Sequence, residues 1–354
     1  MSAPNLIPRQ GPLRLGFFSY ASGPGTATEV YRDVTELFVA SENLGLDSVW
    51  IAQHHFGSHG GQPSPLLFLA SVAERTSRIS LGTAVLTLPF DNALRVAEEA
   101  AIIETLYPGR LELGFGTGFG SPGLHAAFSV EADQRRPVFT EAITRIRSAL
   151  AGIPLDDDGA VLYPPAPGLL DRLWEGPSQP AGVDEAARRG SGLLLSRVAI
   201  GAGATPTPEV QIPLVERHGT IVSGQGLAPR VALSRTIFPA ASRAAAREAL
   251  LPGFQPMMKA LSDSVPELKE LSYEEFLAFS NVHYGDPEDI VSSLRAEPLI
   301  DAVTELIFQV QPANPTQAET LAVIETVATE IAPRFGWAPA GSDERGWVSS
   351  RVDA

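Results

Sequence analysis

Residues Leu81–Gly118, LGTAVLTLPFDNALRVAEEAAIIETLYPGRLELGFGTG, hold a strand, a helix and a second strand in direct succession. The run Ile79 to Val85 is apolar and rich in β-branched residues, Asn92 to Leu106 is apolar at helical spacing, Pro108-Gly109 turns the chain, and Leu111 to Gly116 is a second apolar run. Neither run alternates polar with apolar residues. Strands of that kind are buried on both faces, which is the condition of a parallel sheet covered by helices.

Outward from this unit the same alternation continues. Toward the N-terminus, Leu13 to Tyr20 reads as a strand, a Thr26/Glu29 capping-box spacing opens a helix to Asn43, Asp47 to Gln53 is a strand, and Ser64-Pro65 opens a helix to about Arg75. Toward the C-terminus come a helix from about Ala132 to Leu150, a strand Arg172 to Glu175, a helix Val183 to Arg189 and a strand Gly192 to Ser196. A helix Pro208 to His218 follows, in which Pro213 predicts a kink or a late start. Strands Arg230 to Ile237 and Thr304 to Val310 and a helix Pro315 to Ile331 complete the series. The Pro/Gly-rich segment 152–167 and the segment Gly253 to Asn281 read as variable pieces, the second an insertion with its own helix. Eight strands separated by helices predict an α/β fold, a closed (β/α) eight-fold TIM-type barrel with insertions after the later strands. We expect one domain over 1–354, with its core at 13–335 and a tail at 336–354.

Composition bounds the chemistry. Of 354 residues, Lys+Arg number 26 and Asp+Glu 41, a net charge of −15, which opposes binding to nucleic acid or to an anionic membrane surface. Cysteine is absent, so disulfides, thiolate zinc sites, iron–sulfur clusters and thiol nucleophiles are excluded. With no signal-peptide pattern at Met1 to Gly11 and no long unbroken apolar run, the expected location is cytoplasmic.

In such a barrel, chemistry belongs to the loops that follow the strands. After the second strand stands Gln53-His54-His55-Phe56, with His59 nearby, placing imidazoles that titrate near neutral pH in one loop. For His55 and His59 a solvated or structural role is the plainer reading, since adjacent residues on extended chain point opposite ways, whereas His54 reads as the one available for chemistry. A zinc site competes, but barrel metallohydrolases carry His-x-His on the first strand, and Leu13 to Tyr20 has no histidine; no metal is expected. After the fourth strand, Gly114 to Gly123 contains Gly118, Gly120 and Gly123 at GxGxxG spacing. Pro122 interrupts it and no helix opens directly from it, so a tight rim turn and a ligand-contacting loop remain equal readings. After the fifth, Glu175-Gly176-Pro177-Ser178-Gln179 leads into a helix start suited to an anion. The apolar Leu86, Leu88, Phe90, Phe115 and Phe119 lie where they would enclose a lipophilic substrate or simply pack the core.

Taken together, VWIAQHHF, the Leu81–Gly118 stretch and GLLLSR (Gly192 to Arg197) resemble the bacterial luciferase-like flavin-dependent monooxygenases, continuously from Leu15 to about Phe128 and more loosely to Phe335. The resemblance implies reduced FMN bound at the C-terminal rim, oxygen activation on it, and a homodimer built on the helices at Pro65 to Arg75 and Asn92 to Leu106. It places His54 on the family's catalytic histidine with His55 as its neighbour. It sets the cofactor against Ala84, Val85, Gly116, Thr117, Gly118, Gly176, Ser178, Gln179, Ser196 and Arg197, with a cis peptide expected at Ala84-Val85. Two departures stand out: Gln53 replaces a usual glutamate, removing carboxylate tuning of His54, and Thr117 replaces an arginine that meets the flavin phosphate, so another cation, Arg197, is expected to serve.

A deazaflavin-dependent dehydrogenase on the same barrel is the nearest alternative, and a non-catalytic flavin-binding subunit is a second. With no nicotinamide-binding motif apart from the rim glycines, the expected partners are an organic substrate, dioxygen and a separate flavin reductase that supplies the reduced FMN.

Overall fold

A computed structural model describes residues 4–23, 25–56, 61–118 and 122–340. Its centre is a closed barrel of eight parallel strands: β1 (Arg14–Ser19), β2 (Ser48–Ile51), β3 (Ser80–Thr83), β5 (Leu111–Gly116), β6 (Leu173–Glu175), β7 (Gly192–Leu195), β8 (Val231–Pro239) and β10 (Glu305–Gln309). Pairing of β10 with both β8 and β1 closes the ring. Two short strands lie outside it: β4 (Leu86–Thr87) extends the path beside β5, and β9 (His283–Gly285) adds to the end of β8. The barrel and its eight strands are as the sequence predicts; β4 and β9 are too short to carry a periodic signal.

Local chemistry sets the helix boundaries. In α1 (Ala27–Asn43) the capping box forms, Thr26 N–H donating to Glu29 Oε2 (2.7 Å) and Glu29 N–H to Thr26 Oγ1 (3.3 Å). Asn92 caps α3 (Ala93–Leu106) through Leu94 and Arg95 N–H. Ahead of α2 (Pro65–Ala73), Ser64 makes no capping bond, and Pro65 alone marks the start. The short α4 (Pro122–Phe128) begins at the proline within the glycine-rich stretch, where no helix was expected; α5 (Arg135–Leu150) and α6 (Pro180–Arg188) lie near their predicted positions.

Pro213 does not force a late start: helix α7 (Thr207–Gly224) begins at Thr207 and continues through it. The segment read as an insertion opens earlier than expected, because α8 (Arg243–Ser264), which contains Pro252 and Pro256, begins ten residues before that boundary. One missing N–H bond per proline is offset by burial of Leu214, Val215 and Val222 on α7 and of Ala246, Leu250 and Phe254 on α8. The helices α9 (Tyr273–Phe279), α10 (Pro287–Arg295) and α11 (Gln317–Thr326) complete the shell.

The barrel interior is layered. Trp50 and Trp174 meet edge to face at 5.9 Å, with Phe18, Leu194, Ala232 and Ile307 above them. Registered opposite the indoles stand Gly82 and Gly192, where a Cβ would approach Trp50 Cε3 to 2.2 Å and Trp174 Cε3 to 2.3 Å. Below, at the N-terminal end, Trp50 Nε1 donates to Ser48 and Glu305, Trp174 Nε1 to Glu112 (2.7 Å), and Arg14 lies 3.4 Å from Glu112 and 3.6 Å from Glu305. This charged floor closes one end of the barrel and leaves the C-terminal rim as the open one. No helix among the described residues is long and apolar enough to cross a membrane.

Candidate active site at the C-terminal rim

Gln53 is buried and uses every hydrogen-bonding position of its amide. It accepts from Thr87 N–H and Thr87 Oγ1 (both 2.6 Å) and donates to Pro63 O (3.1 Å) and Asp91 Oδ2 (2.8 Å). The loop after β2 is thereby tied to the turn after β4. No carboxylate acts on His54, in keeping with the glutamine at position 53; Gln53 instead holds Asp91, whose charge acts on His55.

The two histidines face apart, as extended geometry requires. His54 keeps an exposed edge and stacks on Tyr20 at 5.3 Å and 13°, its backbone N–H held by Gln62 O (3.0 Å). His55 packs against Phe128 at 4.8 Å and Phe56 at 6.0 Å, its Nε2 buried with no hydrogen-bond partner. Desolvation pulls both rings below the ordinary histidine pKa; repulsion from His55 adds to this at His54, while Asp91 opposes it at His55. Burial in turn raises the Asp91 carboxyl, against its bond from Gln53. Both rings are thus biased toward the neutral, proton-accepting form. His59 lies outside the described residues, and among those described no three His, Asp or Glu side chains gather as a metal site.

Between β3 and β4 the Ala84–Val85 peptide is cis, at the position expected. Gly116, the last residue of β5, stands so close that a Cβ would lie 2.6 Å from Val85 Cγ2. Gly118 adopts φ +64° against Thr87. Packing within the rim therefore requires these glycines whatever binds there. The GxGxxG spacing runs across 119–121, so Gly120 and Phe119 lie outside the described residues. Leu86, Leu88, Phe90 and Phe115 are buried at 5% exposure or less, and core packing is their role.

A cavity of about 190 Å³ opens beside Gly116 and Thr117, lined also by Arg136, Gly176, Ser178 and Gln179. Gln179 precedes α6 without a side-chain cap; Pro180 brings no N–H, and the Gly182 and Val183 N–H groups donate to Gln179 O (3.0 and 3.1 Å). Arg136 flanks this helix start. Its Nη2 bonds Glu185 Oε1 (2.8 Å), and its Nη1 lies 3.5 Å from where a Cβ on Gly182 would be. Arg135 reaches back to Gly118 O (2.5 Å), and the Glu175–Arg189 pair (2.5 Å) anchors the end of β6.

The cavity unites Gly116, Thr117, Gly176, Ser178 and Gln179, but the cations that line it are Arg135, Arg136 and Arg189 and not Arg197, whose Nη2 lies 3.0 Å from Met257 Sδ. A signal for Arg136 existed in the sequence. Two adjacent arginines in the first turn of a helix oppose the helix dipole, a placement that calls for a nearby anion. Ser196 turns its hydroxyl to Val198 O (2.7 Å).

A tyrosine-stacked histidine, a cis peptide and an anion-suited helix start thus share one barrel rim, and the luciferase-like monooxygenase profile matches residues 14–296. The chain belongs to that family. Curated relatives divide in chemistry. A 4-hydroxyprotoasukamycin monooxygenase of Streptomyces nodosus subsp. asukaensis is 34% identical over 39% of this chain and 38% of its own. An F420-dependent glucose-6-phosphate dehydrogenase of Kribbella flavida is 37% identical over 39% and 40%. The chain spans less than half the length of the first curated relatives it matches. Among family folds, the oxygenating constituent of 3,6-diketocamphane monooxygenase from Pseudomonas putida, solved with FMN, superposes with a TM-score of 0.73 at 16% identity, covering 91% of this chain and 98% of that one.

Proposed function

We propose that this chain is a flavin-dependent monooxygenase that takes reduced FMN and dioxygen and oxidises a small lipophilic organic substrate. The observation that carries the reading is the cavity of about 190 Å³ at the start of α6, which Ser178, Gln179 and the Arg136 guanidinium line together. A guanidinium beside hydroxyl and amide groups suits a phosphate-bearing cofactor. Ala84, Val85, Gly116 and Gly118 offer the cofactor ring backbone and small side chains along the neighbouring rim.

Reduced flavin, when bound, supplies the electrons that activate dioxygen. The chain's own part is to position and to exclude water. His54, held by its stack on Tyr20 and its backbone bond to Gln62, is poised to take or return one proton at an imidazole nitrogen, and the Phe56–Phe90–Phe128 group screens His55. We assign electron delivery to a separate reductase, since no nicotinamide fingerprint lies elsewhere in the sequence.

A second reading, an F420-dependent dehydrogenase, is favoured by the Kribbella relative. Equilibrium titrations of the purified chain with FMN, reduced FMN and F420 separate the two. Reduced FMN is expected to bind, with NADH alone leaving FMN oxidised until a generic flavin reductase is added. Binding of F420 without FMN, or rapid anaerobic reduction by NADH alone, overturns the proposal. His54→Ala should slow substrate oxygenation by about 10²- to 10⁴-fold, the usual range for a general acid–base group.

A further inference from the structure

Arg197 lies two residues past the end of β7, at the open end of the barrel, and its guanidinium is poorly served. Nε and Nη1 are buried with no hydrogen-bond partner, and Nη2 meets only the Met257 thioether at 3.0 Å. Among the described residues no carboxylate lies within ion-pair distance of it. Other interior arginines are treated differently: Arg235 meets Glu297 at 2.9 Å and Arg189 meets Glu175 at 2.5 Å. A guanidinium stays charged at any working pH, and a thioether is a weak acceptor, so a cation left in this state carries an uncompensated desolvation cost. Such a cost at a ligand-binding rim is met when an anion arrives.

The covering group is also one that can give way. Met257 sits directly after Pro256 on α8, where the missing proline N–H opens the helix ladder, and methionine has three rotatable bonds and an adaptable thioether. One turn earlier the helix is pinned, since a Cβ on Gly253 would lie 1.9 Å from Pro312 O. The close packing of α8 thus ends one turn before the residue that covers Arg197.

We propose that Arg197 is an anion-recognition site for the organic substrate, taking a carboxylate or a similar oxyanion whose apolar body lies along Met257. This rests on the monooxygenase reading of the rim, and it gives the lipophilic substrate an acidic end. The cofactor phosphate has its own cation in Arg136, lining the separate cavity at α6.

Calorimetric titration of the full chain with octanoate and with 1-octanol tests this without any flavin present. The parent protein should prefer octanoate by about 10- to 100-fold, the ratio expected for a hydrogen bond to a charged group. Arg197→Gln should erase the preference. Arg197→Lys, which keeps the charge, should retain part of it and guards against loss of the fold in the glutamine variant, monitored by circular dichroism. Equal binding of the two probes by the parent, or a preference that survives in a folded Arg197→Gln protein, overturns the proposal. A parallel FMN and riboflavin titration locates the cofactor phosphate: Arg136→Gln should weaken FMN but not riboflavin, and Arg197→Gln neither. Selective loss of FMN in Arg197→Gln would return Arg197 to the cofactor and sink the proposal. Failure of every flavin to bind, with the octanoate preference intact, would remove the redox reading and leave the anion site standing.

Discussion

At the scale of single residues, Gln53 shows how one neutral side chain positions a charge. A carboxylate at position 53 would be repelled by Asp91 at the present 2.8 Å contact; the glutamine amide instead donates to it and holds it within electrostatic reach of His55. The Asp91 charge raises the His55 pKa against desolvation, so Asp91→Asn should shift the His55 titration to lower pH. Resonances of the His55 ring followed by NMR across pH 4 to 8 measure this directly. An unchanged midpoint would show that the Asp91 charge does not reach the ring. The histidine loop itself was legible, because two imidazoles after a strand are a local pattern. Asp91 was not, since its role depends on a contact 38 residues away in sequence.

At the scale of elements, glycine and tryptophan act as pairs across neighbouring strands. Trp50 occupies the space left by Gly82, and Trp174 that left by Gly192. Gly82→Ala would force a methyl into the Trp50 ring, and the interior, closed on all sides by the barrel, has little room to relax. We expect a loss of about 1–3 kcal/mol or more in urea unfolding. Gly224→Ala, at the end of α7 with nothing within 4 Å, is the control, expected to be neutral or to stabilise by up to about 1 kcal/mol. Equal effects at the two positions would refute the packing account. Prolines were the element-level misjudgement. The rule that proline ends a helix weighs one hydrogen bond, whereas α7 and α8 are held by apolar faces that span several turns.

At the scale of the whole molecule, acid stability and assembly are decided by groups far from the site. His283, on β9, is fully enclosed with Nδ1 on Ser293 Oγ (2.8 Å) and Nε2 unpartnered, and burial pushes its pKa down to about 4, with Glu297 opposing and Arg235 reinforcing. The fold favours the neutral ring. Its stabilising contribution is complete above the unfolded value of about 6.5 and is lost as pH falls toward 4, on the order of 3 kcal/mol in all. A His283→Gln variant should show a flatter fall in unfolding free energy between those pH values than the parent; parallel curves would count against it. For assembly, Leu67 on α2 and Ile102 and Leu106 on α3 are 73%, 49% and 62% exposed, an apolar group on the two helices expected to pair. We propose an isologous homodimer through this face. Light scattering at micromolar concentration should give twice the 37.6 kDa chain mass, and Leu67→Glu with Leu106→Glu should return it to one.

Legible in the sequence were the features written in short range: the apolar runs of the eight strands, the capping box at Thr26, the histidine loop and the glycine-lined strand end. These features are set by neighbours within a few residues, so periodicity and cap chemistry expose them. The rest depends on closing the barrel: the charged floor joining Trp50 to Glu305, the delivery of Asp91 to His55, the placing of Arg136 rather than Arg197 beside the α6 start, and the burial of His283. Each of these is a contact between elements distant in sequence. Its energy depends on desolvation and on distances of a few ångströms, which exist only once the ring of strands has fixed which helix stands beside which loop.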